Sequence, residues 1–168
     1  MPTDPPGVLR LADIDITELC QLLTRFGLQL NHCKDADPIP YSYWGEEEAG
    51  RKGNRLYARS DTPMHSILHE ACHYICLDPA RRRSIDIDAG SDDAEESAVC
   101  YLQVLLADEI SGLGRERMFI DMDTWGYSFR LGSSRAWFEQ DAGDALCWLA
   151  SRDLVDLRQR DLSRLKQA

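Results

Sequence analysis

Residues Thr62 to Leu77 read TPMHSILHEACHYICL, and the rest of the 168-residue chain is read outward from this stretch. Thr62 can cap a helix through its hydroxyl, and Pro63 suits the first helical position, where a missing N–H costs nothing. Inside the helix so predicted, His69, Glu70 and His73 form the pattern H-E-x-x-H. Residues four apart share a helical face, so the two imidazoles project together, one turn apart. Two neutral imidazoles so placed can share one Zn²⁺, and Glu70 beside the first is positioned to take a proton from a water at the metal. Ile67, Leu68, Ala71, Cys72, Tyr74 and Ile75 bring no charge to this core-type helix. Burying two histidines and a glutamate there without a metal would leave a costly, poorly paired charge.

Composition bounds the alternatives. At this length the chain is expected to be one domain, residues 1–168, with a core over about 12–150 and a charged helical tail over 151–168. A net charge of −10 without a Lys/Arg block argues against nucleic acid and anionic membrane surfaces as partners. No apolar run is long enough to span a bilayer, and MPTDPPGVLRLADID lacks the basic-then-apolar order of a secretory signal. The six cysteines (20, 33, 72, 76, 100 and 147) show no paired C-x-x-C spacing. Cys72, Cys76 and Cys100 fall in apolar helical patterns and read as small buried hydrophobes in a reducing cytoplasm.

In chain order, Asp15 to Glu18 resembles a capping box ahead of Leu19, Leu22, Leu23 and Phe26 at helical spacing, with Gly27 as the stop. Leu28 to His32 is a short strand, Tyr41 to Trp44 carries strand-forming aromatics, and Glu46 to Asn54 is a charged loop. Arg55 to Arg59 is a strand leading into the helix at Thr62. Asp78-Pro79 ends that helix, Arg81 to Arg83 is a solvated basic face, and Asp86 to Gly90 is loop. A second helix begins near Asp92, with Glu95, Ala98, Val99, Leu102, Leu105 and Leu106 on its buried stripe, whereas Glu96 points toward Cys100 and Gln103. Gly112-Leu-Gly114 closes it. A polar-aromatic segment follows, and Ser133 or Ser134 caps a third helix with Phe138, Ala142, Ala145, Leu146 and Leu149 inside.

A catalytic zinc normally takes three protein ligands and keeps one position for water. The histidines are 32, 65, 69 and 73, so no later imidazole can complete the set and a carboxylate must. Glu95, on the apolar side of the next helix, is the first choice, Glu96 the alternative, and Asp92 and Asp93 stand next in line. At this point the chain resembles the gluzincin branch of the zincin metallopeptidases, whose third ligand is a Glu on the helix after H-E-x-x-H, often as E-x-x-A with an aromatic three residues on. Glu95-Glu-Ser-Ala98-Val-Cys-Tyr101, followed by Leu105-Leu106, fits that pattern as in compact, ImmA/IrrE-like and other minimal gluzincins. The likeness covers Arg55 to Leu106. It departs at Val99, where the family has Asn or Asp, and in the lack of a Pro after the leucine pair.

The resemblance implies an α+β zincin-like fold in which a small sheet packs on the H-E-x-x-H helix and a second, Glu-bearing helix, with further C-terminal helices. It implies Zn²⁺ held by His69, His73 and Glu95, with Glu70 as general base and then acid. It also implies a peptide or protein substrate pairing with the edge of the strand Arg55, Leu56, Tyr57, Ala58 and Arg59. Tyr127 and Arg130 are candidates for the oxyanion donor by residue type. His65, one turn before His69, supports the site from behind or is exposed. The competing expectation is a non-catalytic, zincin-derived module that binds zinc and a partner protein. Glu70 favours catalysis, because a purely structural site needs no base.

Overall fold

The computed structural model describes residues 7–42, 45–84 and 92–162. Asp15 accepts a hydrogen bond from the Thr17 N–H and opens α1 (Ile16–Arg25), which buries Leu19, Leu22 and Leu23. Glu18 does not close the expected capping box; its carboxylate accepts from the N–H and hydroxyl of Ser111. The chain then forms β1 (Gln29–His32), β2 (Gly50–Lys52) and β3 (Arg55–Ala58), a three-stranded sheet in the order β1-β3-β2. β1 runs parallel to β3, Gln29 opposite Arg55 and His32 opposite Ala58. β2 runs antiparallel to β3, Gly50 opposite Tyr57 and Lys52 opposite Arg55.

Three expectations change here. β2 lies inside the stretch read as a charged loop, because a tight turn at Gly53-Asn54, with φ 57° at the glycine, folds that stretch back on β3. β3 is therefore the central strand, and Arg55 to Arg59 has no open edge to offer an extended peptide. Tyr41 to Trp44 is not seen as a strand: Ser42 makes a single bridge to Gly50, and residues 43 and 44 lie outside the described residues. That approach requires the glycine, since a Cβ on Gly50 would stand 1.9 Å from the Pro40 carbonyl oxygen.

The H-E-x-x-H stretch forms α2 (Met64–Cys76). Thr62 does not cap it; its hydroxyl accepts from the Arg59 N–H and closes the turn out of β3. α3 (Pro79–Ser84) follows, and its basic cluster is not simply solvated. Arg82 donates to the carbonyls of Tyr74 and Ile75 at the C-terminal end of α2 and lies over the Tyr74 ring, where a cation suits the helix dipole. The loop expected at 86–90 lies outside the described residues.

Asp92 caps α4 (Asp93–Ala107) by accepting from the Glu95 N–H. Beyond it run α5 (Gly114–Trp125), α6 (Ser134–Gln140) and α7 (Gly143–Ala150). α5 takes in the first residues of the segment read as polar-aromatic and ends at Gly126, whose φ of 102° turns the chain back toward α2. Ser133 caps α6 by accepting from the Ala136 N–H, and the expected single third helix is broken at Asp141-Ala142 into α6 and α7. α4 is the hub: it packs on α2, α5 and α7, and every residue from Ala98 to Ala107 is buried. Tyr101 stacks on Phe138 with ring centres 4.3 Å apart.

The tail is not a helix where described. It forms a hairpin of β4 (Val155–Asp156) and β5 (Asp161–Leu162), because the Asp156 carboxylate accepts from the N–H groups of Arg158 and Gln159 and builds a turn. The molecule is thus α+β. All six cysteines carry free thiols. Among the described residues, no helix is long and apolar enough to cross a membrane.

Candidate metal centre

α2 and α4 face each other across three donors. The Nε2 atoms of His69 and His73 stand 3.2 Å apart. Glu96 places one carboxylate oxygen 3.0 Å from His69 Nε2 and the other 3.3 Å from His73 Nε2. The carboxylate that meets the imidazoles is therefore Glu96, and the choice of Glu95 is corrected. Glu95 is buried on the α3 side, where Arg81 Nη1 donates to both its oxygens at 3.1 and 3.0 Å. Asp92 is occupied as the helix cap.

The ring orientation of His69 is set from behind. Its Nδ1 lies 3.0 Å from Gln103 Oε1, and the Gln103 amide nitrogen donates to the His65 carbonyl at 2.9 Å. With the amide so oriented its oxygen accepts from His69 Nδ1–H, which holds the ring with Nε2 facing Glu96. Gln103 is fully buried on α4. Its signal in the sequence was a lone amide within the apolar run from Val99 to Ala107.

Electrostatics favour a positive charge among these donors. Burial works against charging His69, but its polar neighbours, Glu96 among them, outweigh that and raise its pKa well above the ordinary histidine value. Burial would raise the Glu96 carboxyl, yet hydrogen bonds from His69 and His73 hold it well below the usual carboxylate range. A proton on His69 is favoured beside the Glu96 carboxylate, and a divalent cation would meet the same demand.

The centre lies in a cleft of about 400 Å³ whose walls include Glu48, Glu70, Trp125 and Tyr127. The Glu70 side chain is 25% exposed, with one oxygen 3.9 Å from Nε of the buried Arg51. Opposite, Trp125 Nε1 donates to Glu48 at 2.9 Å. Burial pushes the Tyr127 hydroxyl up to about 12, so it stays protonated at neutral pH. Its oxygen is 3.1 Å from His65 Nδ1. His65 is not exposed; burial first, and then nearby His69, bring its pKa down to about 3 and keep it neutral. His65 therefore supports the wall through Tyr127 and, by its carbonyl, through Gln103.

Other expected site residues stand elsewhere. The Arg130 side chain is 82% exposed, pairs with Asp141 and does not line the cleft, so it is no oxyanion donor here. None of Arg55, Leu56, Tyr57, Ala58 and Arg59 lines the cleft; Leu56 and Ala58 belong to the core, and Arg59 pairs with Asp61. Cys100, read as a core residue, is buried and also lines the cleft. Its sulfur, a ring nitrogen of His69 and a carboxylate oxygen of Glu96 lie within 4.8 Å of one another.

No protein-family model matches the chain, and no curated protein or solved structure matches it. The functional reading therefore rests on the residues themselves.

Proposed function

We propose that this chain is a zinc-dependent peptidase of compact zincin-like design, with His69, His73 and Glu96 as the protein ligands. The observation that carries the reading is the convergence of these three donors beside a cleft that His69, Glu96 and Glu70 line. The donors fit the ion: nitrogen and oxygen ligands 2.0–2.1 Å from a tetrahedral zinc stand about 3.3 Å apart. Here the two Nε2 atoms are 3.2 Å apart, and they lie 3.0 and 3.3 Å from different oxygens of the Glu96 carboxylate. When bound, zinc would polarise a peptide carbonyl and acidify a water.

The chain's own groups supply the rest. The Glu70 carboxylate accepts the proton of the attacking water and passes it to the departing amine nitrogen. The Tyr127 hydroxyl, protonated at neutral pH, donates to the carbonyl oxygen as negative charge grows there. Gln103 holds His69 so that its Nε2 stays aimed at the centre. An extended peptide meets the cleft between Glu48 on one side and the segment from Gly126 to Phe129 on the other.

Glu70→Gln keeps the shape of the side chain and removes the base. The variant is expected to fold, retain zinc and lose hydrolysis of a mixed peptide library at neutral pH by on the order of a hundred to ten thousand. A chelator should silence the wild type in the same assay. Full activity in Glu70→Gln would overturn the assignment of the base. A zinc-bearing module without turnover is the second reading, and the central position of β3, which removes the expected docking edge, favours it. Tight zinc binding with no cleavage across the library by the wild type or by any Cys100 variant would select it.

A further inference from the structure

The hydrolytic reading leaves one donor in the cleft unused. Cys100 follows Glu96 by four residues on α4, as His73 follows His69 by four on α2. Residues at that spacing share a helical face, so Cys100 shares the Glu96 face of α4 as His73 shares the His69 face of α2. Cys100 is 8% exposed and lines the cleft beside His69 and Glu96. Its sulfur falls within 4.8 Å of donor atoms on both. Cys72 and Cys76, which are more deeply buried, do not line the cleft.

We infer that Cys100 is a fourth protein ligand, so that the resting site is a closed two-histidine, glutamate and cysteine set that opens for turnover only when the sulfur leaves. The inference rests on the zinc reading above and adds a regulation to it. A thiolate is a strong zinc ligand, and sets closed by four protein donors are the structural kind. Ligation breaks the S–H bond, forms a sulfur–zinc bond and releases one proton to solvent, with no change of oxidation state. Glu70 can act only on a water, and the sulfur takes the place that water needs. Sulfur and substrate water therefore exclude each other, and a change of the Cys100 rotamer exchanges them.

The test uses Co²⁺ in place of zinc on the full chain, because a thiolate on cobalt adds a charge-transfer absorption in the near ultraviolet that imidazole and carboxylate do not. Wild type should show this band at one cobalt per chain. Cys100→Ala and Cys100→Ser should lose it, bind zinc roughly a hundredfold more weakly in competition with a chelator, and hydrolyse peptides faster at saturating zinc. Cys147→Ser, at an exposed thiol away from the cleft, should match the wild type. Stoichiometric cobalt without the band in wild type overturns the inference, as does a band that survives in both Cys100 variants. Failure of wild type to bind either metal overturns both this inference and the reading beneath it. If the band behaves as expected but every variant, metal-loaded, cleaves nothing, the ligand assignment stands and the peptidase reading falls.

Discussion

Glu95 and Glu96 are adjacent on one helix, yet they belong to two different regions of the molecule. Glu95 sits on the α3 side of α4, buried and gripped by Arg81 through both oxygens. Glu96 sits on the α2 side, 44% exposed as a side chain, and spans two imidazoles. The first region is an ion pair that ties a short helix to the hub. The second gathers two imidazoles around one carboxylate. A carboxylate's role is thus set by which neighbour its helix face meets, and a rotation of about 100° per residue is enough to move it from an arginine clamp to a bridge between imidazoles.

Breaking the two regions separately should give different kinds of damage. The largest effect is expected from Glu96→Ala, which should fold and bind zinc on the order of a hundredfold or more weakly, as one ligand's share of a typical structural zinc site. Isothermal titration against a competing chelator measures this, and wild-type affinity in the variant would remove Glu96 from the set. Gln103→Leu should cost ten- to a hundredfold in zinc affinity while leaving the three ligands in place, because His69 loses the acceptor that fixes its ring. An unchanged affinity would show that α2 alone orients that ring. Glu95→Ala should leave zinc affinity near the wild-type value and lower stability by about 1–3 kcal/mol in urea unfolding, since Arg81 loses its partner. A variant as stable as wild type but poor in zinc would reverse the roles of the two glutamates.

The smallest effect concerns pH and sharpens the picture of the wall. The folded protein holds His65 near a pKa of about 3, below its ordinary value of 6.5. Between those values the unfolded chain binds the extra proton and the native state does not. Folding stability of the metal-free protein should therefore fall as pH drops below 6.5, at up to about 1.4 kcal/mol per unit from this group. His65→Gln should flatten that slope relative to wild type in chelator-treated protein. Equal slopes would mean that His65 takes up its proton without leaving the fold.

The sequence made α2 legible because a sharp motif sat on a segment whose other positions were apolar. It also placed Glu96, Cys100 and Gln103 together on one face of the next helix. Amphipathicity does not single out that face, because α4 is buried on every side from Ala98 to Ala107. A stripe of apolar residues distinguishes inside from outside only on a helix that has an outside. Edge and centre of a sheet were likewise invisible, since β2 is only Gly50–Lys52 and its pairing depends on the Gly53 turn rather than on an apolar run. The tail carried helix-compatible charge, and the Asp156 turn overrode it.

The most direct measurement is a crystal structure of the zinc-loaded wild type with anomalous data collected on both sides of the zinc absorption edge. The account predicts one anomalous peak per chain, bounded by His69 Nε2, His73 Nε2 and a Glu96 oxygen, with the Glu95 carboxylate still on Arg81. A peak coordinated by Glu95, or none at the histidine pair in protein that carries stoichiometric zinc, would contradict it.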